Sequence, residues 1–152
     1  MSAPASGGTA GAPGRELGRC LFCRIVSGEI AAHVVYDDER FLAFLDHRPL
    51  FAGHALLVPR EHVEAIWDAP PDLLGELAVA TQRLSVAVRD AMEADGIFNA
   101  VNNVVSQSVP HLHVHVVPRR RKDGLRGFFW PRTKYASDEE AGEVAASIRR
   151  RL

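Results

Sequence analysis

The sequence predicts an α+β domain in which helices pack on a mainly antiparallel sheet of about five strands. Three observations favour this class. His111, His113 and His115 alternate with apolar residues, and a two-residue period is typical of a strand. Several short apolar runs are separated by polar turns, as in a sheet built from neighbouring strands. One long stretch from Pro70 instead has apolar residues at three-, four- and seven-residue spacings, which indicates an amphipathic helix.

The composition excludes several classes of protein. A hydrophobic content of 47% and a charged content of 24% are typical of a globular domain, and 152 residues are enough for one domain with a core. A net charge of −1 argues against a dedicated nucleic-acid binder, and two cysteines are too few for a disulfide framework. No apolar run approaches the length of a membrane span. The N-terminus lacks the pattern of a signal peptide, so we expect a cytoplasmic protein.

The two ends of the chain differ from its middle. Residues 1–17 are rich in Ala, Gly, Pro and Ser, and we expect a disordered tail there. One domain is expected over residues 18–135. Ser137, followed by acidic residues through Glu140, is typical of a capping box. Residues 136–152 are therefore predicted to form a last helix that packs on the same domain.

The elements between these ends follow from local patterns. The residues from Cys20 to Gly28 indicate a short helical turn. The predicted strands cover residues 29–36 with a leading turn, 41–45, 53–60, 97–102 and 111–117. Pro118 cannot donate a ladder hydrogen bond and is expected to end the last strand. The long helix should begin at Pro70-Pro71 and end at Gly96. Its apolar stripe, which is most simply core, contains Leu73, Leu77, Leu84, Val88 and Met92.

The alternating histidines are the strongest functional signal. On a strand, residues two apart share a face, so His111, His113 and His115 should form a row while the apolar residues between them enter the core. Neutral imidazole is a good nucleophile near pH 7, its protonated form is an acid, and it is a common metal ligand. The alternative is three exposed histidines with no joint role, which their strict alternation after Gln107-Ser108 disfavours.

The stretch His-Leu-His-Val-His-Val-Val resembles the signature of the histidine-triad superfamily, His-x-His-x-His with apolar residues between. Gly53–Arg60 is similar to a second motif of that family, and the resemblance extends from about Cys20 to Arg119. It implies a HIT-like fold and a protein that binds nucleotides and acts on the α-phosphate as a hydrolase or transferase. It also implies a homodimer joined through a strand and the long helix, so contact with a second subunit is the alternative for part of the apolar stripe.

The resemblance implies roles for the residues around the triad. His113 would attack the α-phosphorus of a nucleotide and form a nucleotidyl-histidine intermediate, which water then hydrolyses. Positioned donors would stabilise the charge of the transition state, and one of them would pass a proton to the leaving group. The candidates for these donors are Gln107, Ser108 and His115. His54 would support the triad by hydrogen bonding, and Asn102 would hold the nucleotide.

A nucleotide pocket is implied beside the triad. Asp46 matches a family aspartate that accepts two hydrogen bonds from a ribose diol. The alternative for Asp46 is a carboxylate that caps its own turn. The residues that would line the base pocket, most of which could equally be ordinary core, are Phe22, Ile25, Phe44, Leu45 and His47.

The cysteine pair suggests a metal site. Cys20 and Cys23 are spaced like two ligands of a zinc ion, which needs four. The metal-bearing members of the family imply that His62 and His111 are the other two. A structural zinc ion would then tie the N-terminal segment to the sheet. The alternative is a pair of plain or redox-active thiols.

The sequence leaves the substrate open between a dinucleoside polyphosphate and a nucleoside phosphoramidate, in each case of a purine. The loop after Asn102 is shorter than is usual in the family, and Ser106 stands where glycine lets the backbone approach a phosphate. The basic and aromatic segment 119–132 is expected either to select the substrate or to form a solvated loop. Two other functions are a regulatory nucleotide-binding module and an aprataxin-like DNA-adenylate hydrolase, which the slightly negative charge disfavours.

Overall fold

The computed structural model describes residues 20–125 and 133–151, in a chain that divides into two compact units, Met1–Arg121 and Lys122–Leu152. The described elements of the first unit are α1 (Leu21–Val26), β1 (Val34–Asp37), β2 (Phe41–Leu45), β3 (Ala55–Pro59), a 3-10 turn (Ile66–Asp68), α2 (Pro71–Ala91), β4 (Gly96–Ala100) and β5 (Val114–Arg119). The second unit contains α3 (Asp138–Arg149). The expected tail, residues 1–17, lies outside the described residues.

The strands form one antiparallel sheet in the order β1-β2-β3-β5-β4, which confirms the predicted fold class. Opposite residues of an antiparallel pair point to the same face, so the register sorts the side chains onto two faces. Leu57 and its partner Val114 join the core that includes the buried stripe of α2. Leu56 and its partner His115 point to the other face, where α1 packs. The histidines therefore lie on the face of the sheet opposite α2.

The long helix α2 has the buried stripe that the pattern predicts. Pro71 takes the first helical position, where no backbone N–H is needed. The buried residues are Leu73, Leu77, Ala80, Leu84 and Val88, which confirms a core role, whereas the homodimer contact stays a prediction. The predicted end at Gly96 is wrong, because the helix stops at Ala91 and Gly96 begins β4. Glu93, with φ 49°, takes the left-handed conformation that a glycine usually supplies after a helix.

The triad strand starts later than the alternation predicts. β5 begins at Val114, so His111 and His113 precede it. Leu112 donates its N–H to the carbonyl of Val63 at 2.7 Å instead of joining the sheet ladder. The apolar residues of the pattern are nevertheless core, as expected: Leu112, Val114 and Val116 are 0%, 5% and 0% exposed.

The strand also ends later than predicted. Pro118 lies inside β5, opposite Ile97 of β4. The pairing of β5 with β3 extends only to Val116, so Pro118 lies where the strand has a single neighbour. A proline is tolerated at such an edge position because its missing N–H breaks no ladder bond.

Two short polar motifs form the turn and the helix cap that their residue types indicate. Asp38 Oδ1 accepts the N–H groups of Arg40 (2.8 Å) and Phe41 (2.7 Å), which closes the turn between β1 and β2. In the second unit, Ser137 Oγ accepts the N–H of Glu140 at 3.2 Å and caps α3. Among the described residues, no helix combines the length and the apolar character that crossing a bilayer requires.

Candidate functional site

Four side chains from separate segments converge on one point. Cys20 caps α1, Cys23 lies in its first turn, His62 follows β3, and His111 precedes β5. Cys23 Sγ lies 3.2 Å from His62 Nδ1 and 3.5 Å from His111 Nδ1, and Cys20 Sγ lies 3.4 Å from His111 Nδ1. The two imidazole nitrogens are 3.3 Å apart. The fold thus brings together all four residues predicted as metal ligands.

The distances within this Cys/His cluster fit a tetrahedral ion. An ion about 2.3 Å from sulfur and about 2.0–2.1 Å from nitrogen places two nitrogens about 3.3 Å apart and sulfur about 3.6 Å from nitrogen. The hydrogen bonding of His111 gives a second argument. Its Nε2 lies 2.8 Å from the carbonyl oxygen of Pro59 and donates to it, so the lone pair of the neutral ring is on Nδ1, toward the cysteines. The cluster can therefore hold a divalent cation.

Burial determines the protonation states in the cluster. It lowers the pKa of His111 to about 4, against the opposing effect of the Pro59 carbonyl, so the ring is neutral at pH 7. Burial, with the neighbouring Cys20, raises the pKa of the Cys23 thiol to about 12. Neutral imidazole is the form that binds a metal, whereas the thiol must first lose its proton, a loss that a bound cation favours.

His113 is held by its backbone and by two rings. It is 3% exposed, and its ring centroid lies 5.1 Å from that of Phe22 and 5.0 Å from that of His115. Its Nδ1 lies 2.6 Å from the carbonyl oxygen of His111, so Nδ1 carries the proton and donates it. Burial lowers the pKa of His113, with the His111 carbonyl opposing the change. At pH 7 the ring is therefore neutral with a lone pair on Nε2, the form that attacks an electrophile.

The tautomer of His115 is determined by two groups behind it. The N–H of Leu50 donates to His54 Nδ1 at 3.1 Å, so His54 Nε2 carries the proton. That nitrogen lies 3.0 Å from His115 Nδ1, which accepts the hydrogen bond. His115 is left with an N–H at Nε2. Burial lowers the pKa of His54, and it lowers the pKa of His115 to about 4 with smaller contributions from His113 and His54.

Asp46, His54 and His115 form a second group of potential ligand atoms. Asp46 Oδ2 lies 3.7 Å from His54 Nε2. Because His54 Nδ1 already accepts from the Leu50 amide, Nε2 of the neutral ring holds a hydrogen and has no lone pair for a metal. We interpret this group as a hydrogen-bonded support for His115, consistent with the role expected of His54.

The structure confirms the turn-capping alternative for Asp46. Oδ1 accepts the N–H of Arg48 at 2.9 Å and caps the turn. The carboxylate is 16% exposed and its Oδ2 faces His54, while the ribose contact stays a prediction. Further along the connection between β2 and β3, Gly53 has φ +92° and its added Cβ would lie 2.6 Å from the side chain of Met92, so a glycine is required there.

The residues predicted for a base pocket are only partly brought together. Phe22 and Phe44 are buried with ring centroids 5.4 Å apart, Ile25 packs at their edge, and the side chain of His47 is 83% exposed. Leu45 is 38% exposed, but its partner across the ladder is Ala55, which belongs to the α2 side of the sheet. By register, Leu45 therefore does not point to the histidine face.

The loop between β4 and β5 begins level with the nucleophile candidate. The last ladder pair of these strands is Ala100 with His115. Continuing that register by two residues places Asn102 opposite His113, on the same face of the sheet. The predicted role of Asn102 is compatible with this position.

Gln107 and Ser108 differ in their surroundings. The amide of Gln107 is engaged at both ends, since Nε2 donates to the carbonyl of Glu64 at 2.6 Å and Oε1 accepts the N–H of Val104 at 3.0 Å. Ser108 is exposed and lines a cavity of about 460 Å³, whose other walls include Cys20 and Glu64. Ser108 is therefore accessible to a bound molecule, whereas most of the hydrogen-bonding capacity of Gln107 is used within the protein.

Sequence reasoning missed Asn103. Its Oδ1 accepts the N–H of Ile66 at 2.7 Å, which ties the loop to the segment after β3. The only signal was the tandem Asn102-Asn103, of which the family motif explains one residue. Val104 and Ser106 have φ of 68° and 63°, each costing on the order of 1–3 kcal/mol for a non-glycine residue. Ser106 thus adopts the conformation for which glycine is the usual choice.

The first basic residues after the triad, Arg119 and Arg120, are separated from it by the length of β5. The chain runs six residues from His113 to Arg119, about 20 Å at the rise of a strand. Arg120 donates to the carbonyl oxygens of Met92 (2.5 Å) and Glu93 (3.1 Å) at the end of α2. Arg119 and Arg120 thus lie away from His113 along the strand, and the expected role of the segment stays a prediction. Its aromatic part, residues 126–132, lies outside the described residues.

The sequence matches known proteins over most of its length. Residues 27–122 match the model of the HIT domain. Protein hit of Bacillus subtilis is 35% identical over 139 residues, which cover 88% of this chain and 94% of that protein. The adenylylsulfatase HINT3 of Arabidopsis thaliana is 31% identical over 140 residues (88% and 69%). The adenosine 5′-monophosphoramidase HNT1 of Saccharomyces cerevisiae is 31% identical over 107 residues (70% and 66%).

Solved structures agree with these matches. The crystal structure of a HIT family member from Bacillus subtilis superposes with a TM-score of 0.79 at 34% identity, covering 88% of this chain and 96% of that one. A Zn-bound histidine triad family protein from Mycobacterium smegmatis gives a TM-score of 0.69 at 36% identity, with coverage of 88% and 96%.

The buried neutral histidines predict a loss of stability on mild acidification. The pKa values of His54 and His115 are lowered in the folded state, that of His115 to about 4, from about 6.5 in the unfolded chain. Above pH 6.5 neither state binds these protons. Below it the unfolded chain binds them and the folded protein does not, so we expect Tm to fall as pH decreases from 6.5 to 4.5.

Calorimetry of the wild type and of a His54→Gln, His115→Gln double variant across this range tests the expectation. The variant should lose less Tm over the same pH interval. His33→Gln, at an exposed histidine of the same chain, is the matched control and should follow the wild type. Equal pH slopes for wild type and double variant would contradict the expectation.

Proposed function

The chain belongs to the HIT domain family, and on that premise we propose that it is a nucleotide hydrolase in which His113 attacks the α-phosphorus. The observation that carries the proposal is the 2.6 Å hydrogen bond from His113 Nδ1 to the carbonyl of His111. It leaves the lone pair on Nε2 of a buried ring that is neutral at pH 7 because burial lowers its pKa. A nucleophile of this kind needs no separate base to activate it.

The proposed reaction has two displacements at phosphorus. In the first, the Nε2 lone pair of His113 forms a P–N bond, the bond from phosphorus to the leaving group breaks, and the leaving group takes a proton. In the second, water attacks the same phosphorus, the P–N bond breaks, and its electron pair returns to Nε2. The proton that the water loses restores the group that protonated the leaving group. The products are a nucleoside monophosphate and the protonated leaving group. Splitting one displacement in two lowers the barrier of each step.

His115 is the proposed donor to the reacting phosphate. Its Nδ1 accepts from His54, so the N–H at Nε2 is fixed as a hydrogen-bond donor. The ring centroids of His113 and His115 are 5.0 Å apart, which allows both rings to reach one phosphate group. A donor held in place before the reaction stabilises charge on the nonbridging oxygens without reorganisation. Ser108 is a second candidate for the proton that goes to the leaving group.

The favoured substrate is a purine nucleoside monophosphate joined to a small leaving group through nitrogen or a mixed anhydride. Two relatives are named for such activities, an adenosine 5′-monophosphoramidase and an adenylylsulfatase. Arg119 begins about 20 Å along the chain from His113, and Arg120 donates to carbonyls at the end of α2, so neither of these two cations is placed at the nucleophile. Asp46 Oδ2 is the proposed ribose contact, and Asn102 the proposed phosphate contact.

We also propose that the Cys/His cluster binds one structural zinc ion. The donor set of two sulfurs and two imidazole nitrogens is typical of structural zinc, and a related protein of known structure is Zn-bound. All four donors come from protein side chains, so no coordination position is left for a substrate. When bound, the ion would link α1 to the segment after β3 and to the segment before β5. The proposed steps at His113 do not use the ion.

Replacing the nucleophile should stop turnover without stopping binding. His113→Asn is expected to lower kcat on adenosine 5′-phosphoramidate by at least about 100-fold, because asparagine has no ring nitrogen to form the P–N bond. The Kd for AMP should change little. Acid-quenched wild type should retain label from a nucleotide labelled at the α-phosphate, and the variant should not. His33→Asn is the matched control, and labelled protein at the wild-type level in His113→Asn would refute the assignment.

A comparison of substrates tests the proposed leaving group. At equal concentrations, kcat/KM for adenosine 5′-phosphoramidate and adenosine 5′-phosphosulfate should exceed that for diadenosine tetraphosphate by at least about tenfold, since Arg119 and Arg120, the first cations after the triad, lie away from His113. Adenylated DNA ends complete the panel. A preference for the tetraphosphate would overturn the substrate class, and a preference for DNA would favour the aprataxin-like alternative. Tight AMP binding without turnover on any substrate would favour the regulatory module.

Metal analysis tests the zinc proposal. Freshly purified protein should contain about one zinc ion per chain, and Cys23→Ala or His62→Asn should contain far less. Removing the ion with a chelator should lower Tm by about 5 °C or more while leaving kcat within about threefold, because the ion stabilises the fold and no proposed step uses it. Wild-type protein whose Tm is the same with and without the metal would rule out the structural zinc site.

A further inference from the structure

The loop of residues 103–110 has to lie beside the nucleophile at both of its ends. It follows Asn102, which the continued β4–β5 register places opposite His113. It leads directly into His111, whose carbonyl oxygen accepts the hydrogen bond of His113. The conformation of this loop therefore determines which groups face a molecule bound at His113.

The backbone conformation of this loop is energetically unfavourable by itself. Val104 and Ser106 both have positive φ, and a β-branched residue such as valine is especially unfavourable there. Within the loop the backbone bonds are few, with Val105 N–H donating to Asn103 O at 2.8 Å and Gln107 N–H to Val104 O at 3.3 Å. A strained conformation persists only where surrounding contacts hold it.

The surrounding contacts come from the segment of residues 63–66. Asn103 Oδ1 accepts the N–H of Ile66 at 2.7 Å, and Gln107 Nε2 donates to the carbonyl of Glu64 at 2.6 Å. Gln107 Oε1 also accepts the N–H of Val104, which is the more strained of the two residues. Two side-chain amides, one before and one after the strained residues, thus attach the loop to the neighbouring segment.

We propose that Asn103 and Gln107 are positioning residues, which hold the loop of residues 103–110 in its strained conformation against residues 63–66 and thereby fix the position of Ser108 and of the chain that enters His111. Gln107 then acts through the loop and does not donate to the substrate, in contrast to the role expected from the sequence. Its Oε1 and one N–H are already used inside the protein. Asn103 gains a function that the motif does not assign to it.

The proposal rests on the proposed hydrolase function for its kinetic readout, and a second readout is independent of activity. Asn103→Ala, Gln107→Ala and the double variant are compared for kcat and KM on adenosine 5′-phosphoramidate and for the Kd of AMP. Each single change should lower kcat/KM between about 10- and 100-fold, the scale of a misplaced active-site group. The double variant should lose no more than about threefold beyond the worse single variant, because both residues hold one loop.

Hydrogen exchange of the amides of residues 103–108 should rise in all three variants, whether or not any substrate is turned over. Asn103→Asp keeps the oxygen that accepts from Ile66 and should recover most of the activity lost in Asn103→Ala. Gln107→Glu should not recover activity, because it has no N–H to donate to the Glu64 carbonyl. Asn99→Ala is the matched control, since Asn99 contacts Ser85 on the other side of the sheet at 3.2 Å.

Two results would overturn the proposal. In the first, Gln107→Ala lowers kcat about 100-fold while Asn103→Ala changes neither kcat nor loop exchange, which would make Gln107 a direct donor. In the second, the losses of the two single variants multiply fully in the double variant, which would make the two residues independent. Failure of the hydrolase function would appear instead as a wild type that forms no nucleotidyl-histidine, with the loop exchange still decisive for the positioning role.

Discussion

The hydrogen bond from His113 Nδ1 to the carbonyl oxygen of His111, at 2.6 Å, connects the two halves of the site. Through its side chain, His111 belongs to the Cys/His cluster, and its own Nε2 donates to the carbonyl of Pro59. In each of these buried rings, one nitrogen thus donates a hydrogen bond to a backbone carbonyl and the other keeps a lone pair. The opposite tautomer would place a ring lone pair against the carbonyl oxygen and leave that buried oxygen without its donor, at a cost of about 1–3 kcal/mol. The backbone therefore decides that the lone pair of His111 is on Nδ1, toward the cysteines, and that the lone pair of His113 is on Nε2.

The sheet makes this arrangement rigid. Leu112 is fully buried in the core on the α2 side, so the histidines on either side of it in the chain cannot turn away from the opposite face. Phe22 of α1 packs against the rings of both His111 and His113, at 6.0 and 5.1 Å between centroids. A zinc ion in the cluster would hold α1, and with it Phe22, against the sheet. In this scheme the metal supports the nucleophile by packing, and the chemistry at phosphorus uses only side chains of the protein.

A second set of hydrogen bonds supports His115 and the loop before His111. The Leu50 amide donates to His54, and His54 in turn donates to Nδ1 of His115. A turn next to β3 therefore determines which nitrogen of His115 donates. The loop before His111 is held in turn by Asn103 and Gln107 against residues 63–66. These contacts all reach the active face from segments that follow β3 or precede it. The short loop with its two strained residues can be maintained there because its neighbours supply the hydrogen bonds that its own backbone lacks.

The resemblance to a known family added His62 and His111 to the predicted Cys/His cluster. The sequence by itself determined the fold class, the α2 stripe, the histidine motif and the Cys20/Cys23 pair. These depend on periodicity and on side-chain chemistry, both of which are local properties of the chain. The tertiary structure decided the rest. The late start of β5, the place of Pro118 inside it, and the separation of Leu45 from the histidine face depend on which strand pairs with which and in what register. The tautomers of the histidines and the bracing by Asn103 and Gln107 depend on carbonyl and amide groups of Pro59, Glu64 and Ile66. Every residue carries such backbone groups, so no residue type in the sequence marks the ones that the fold will use.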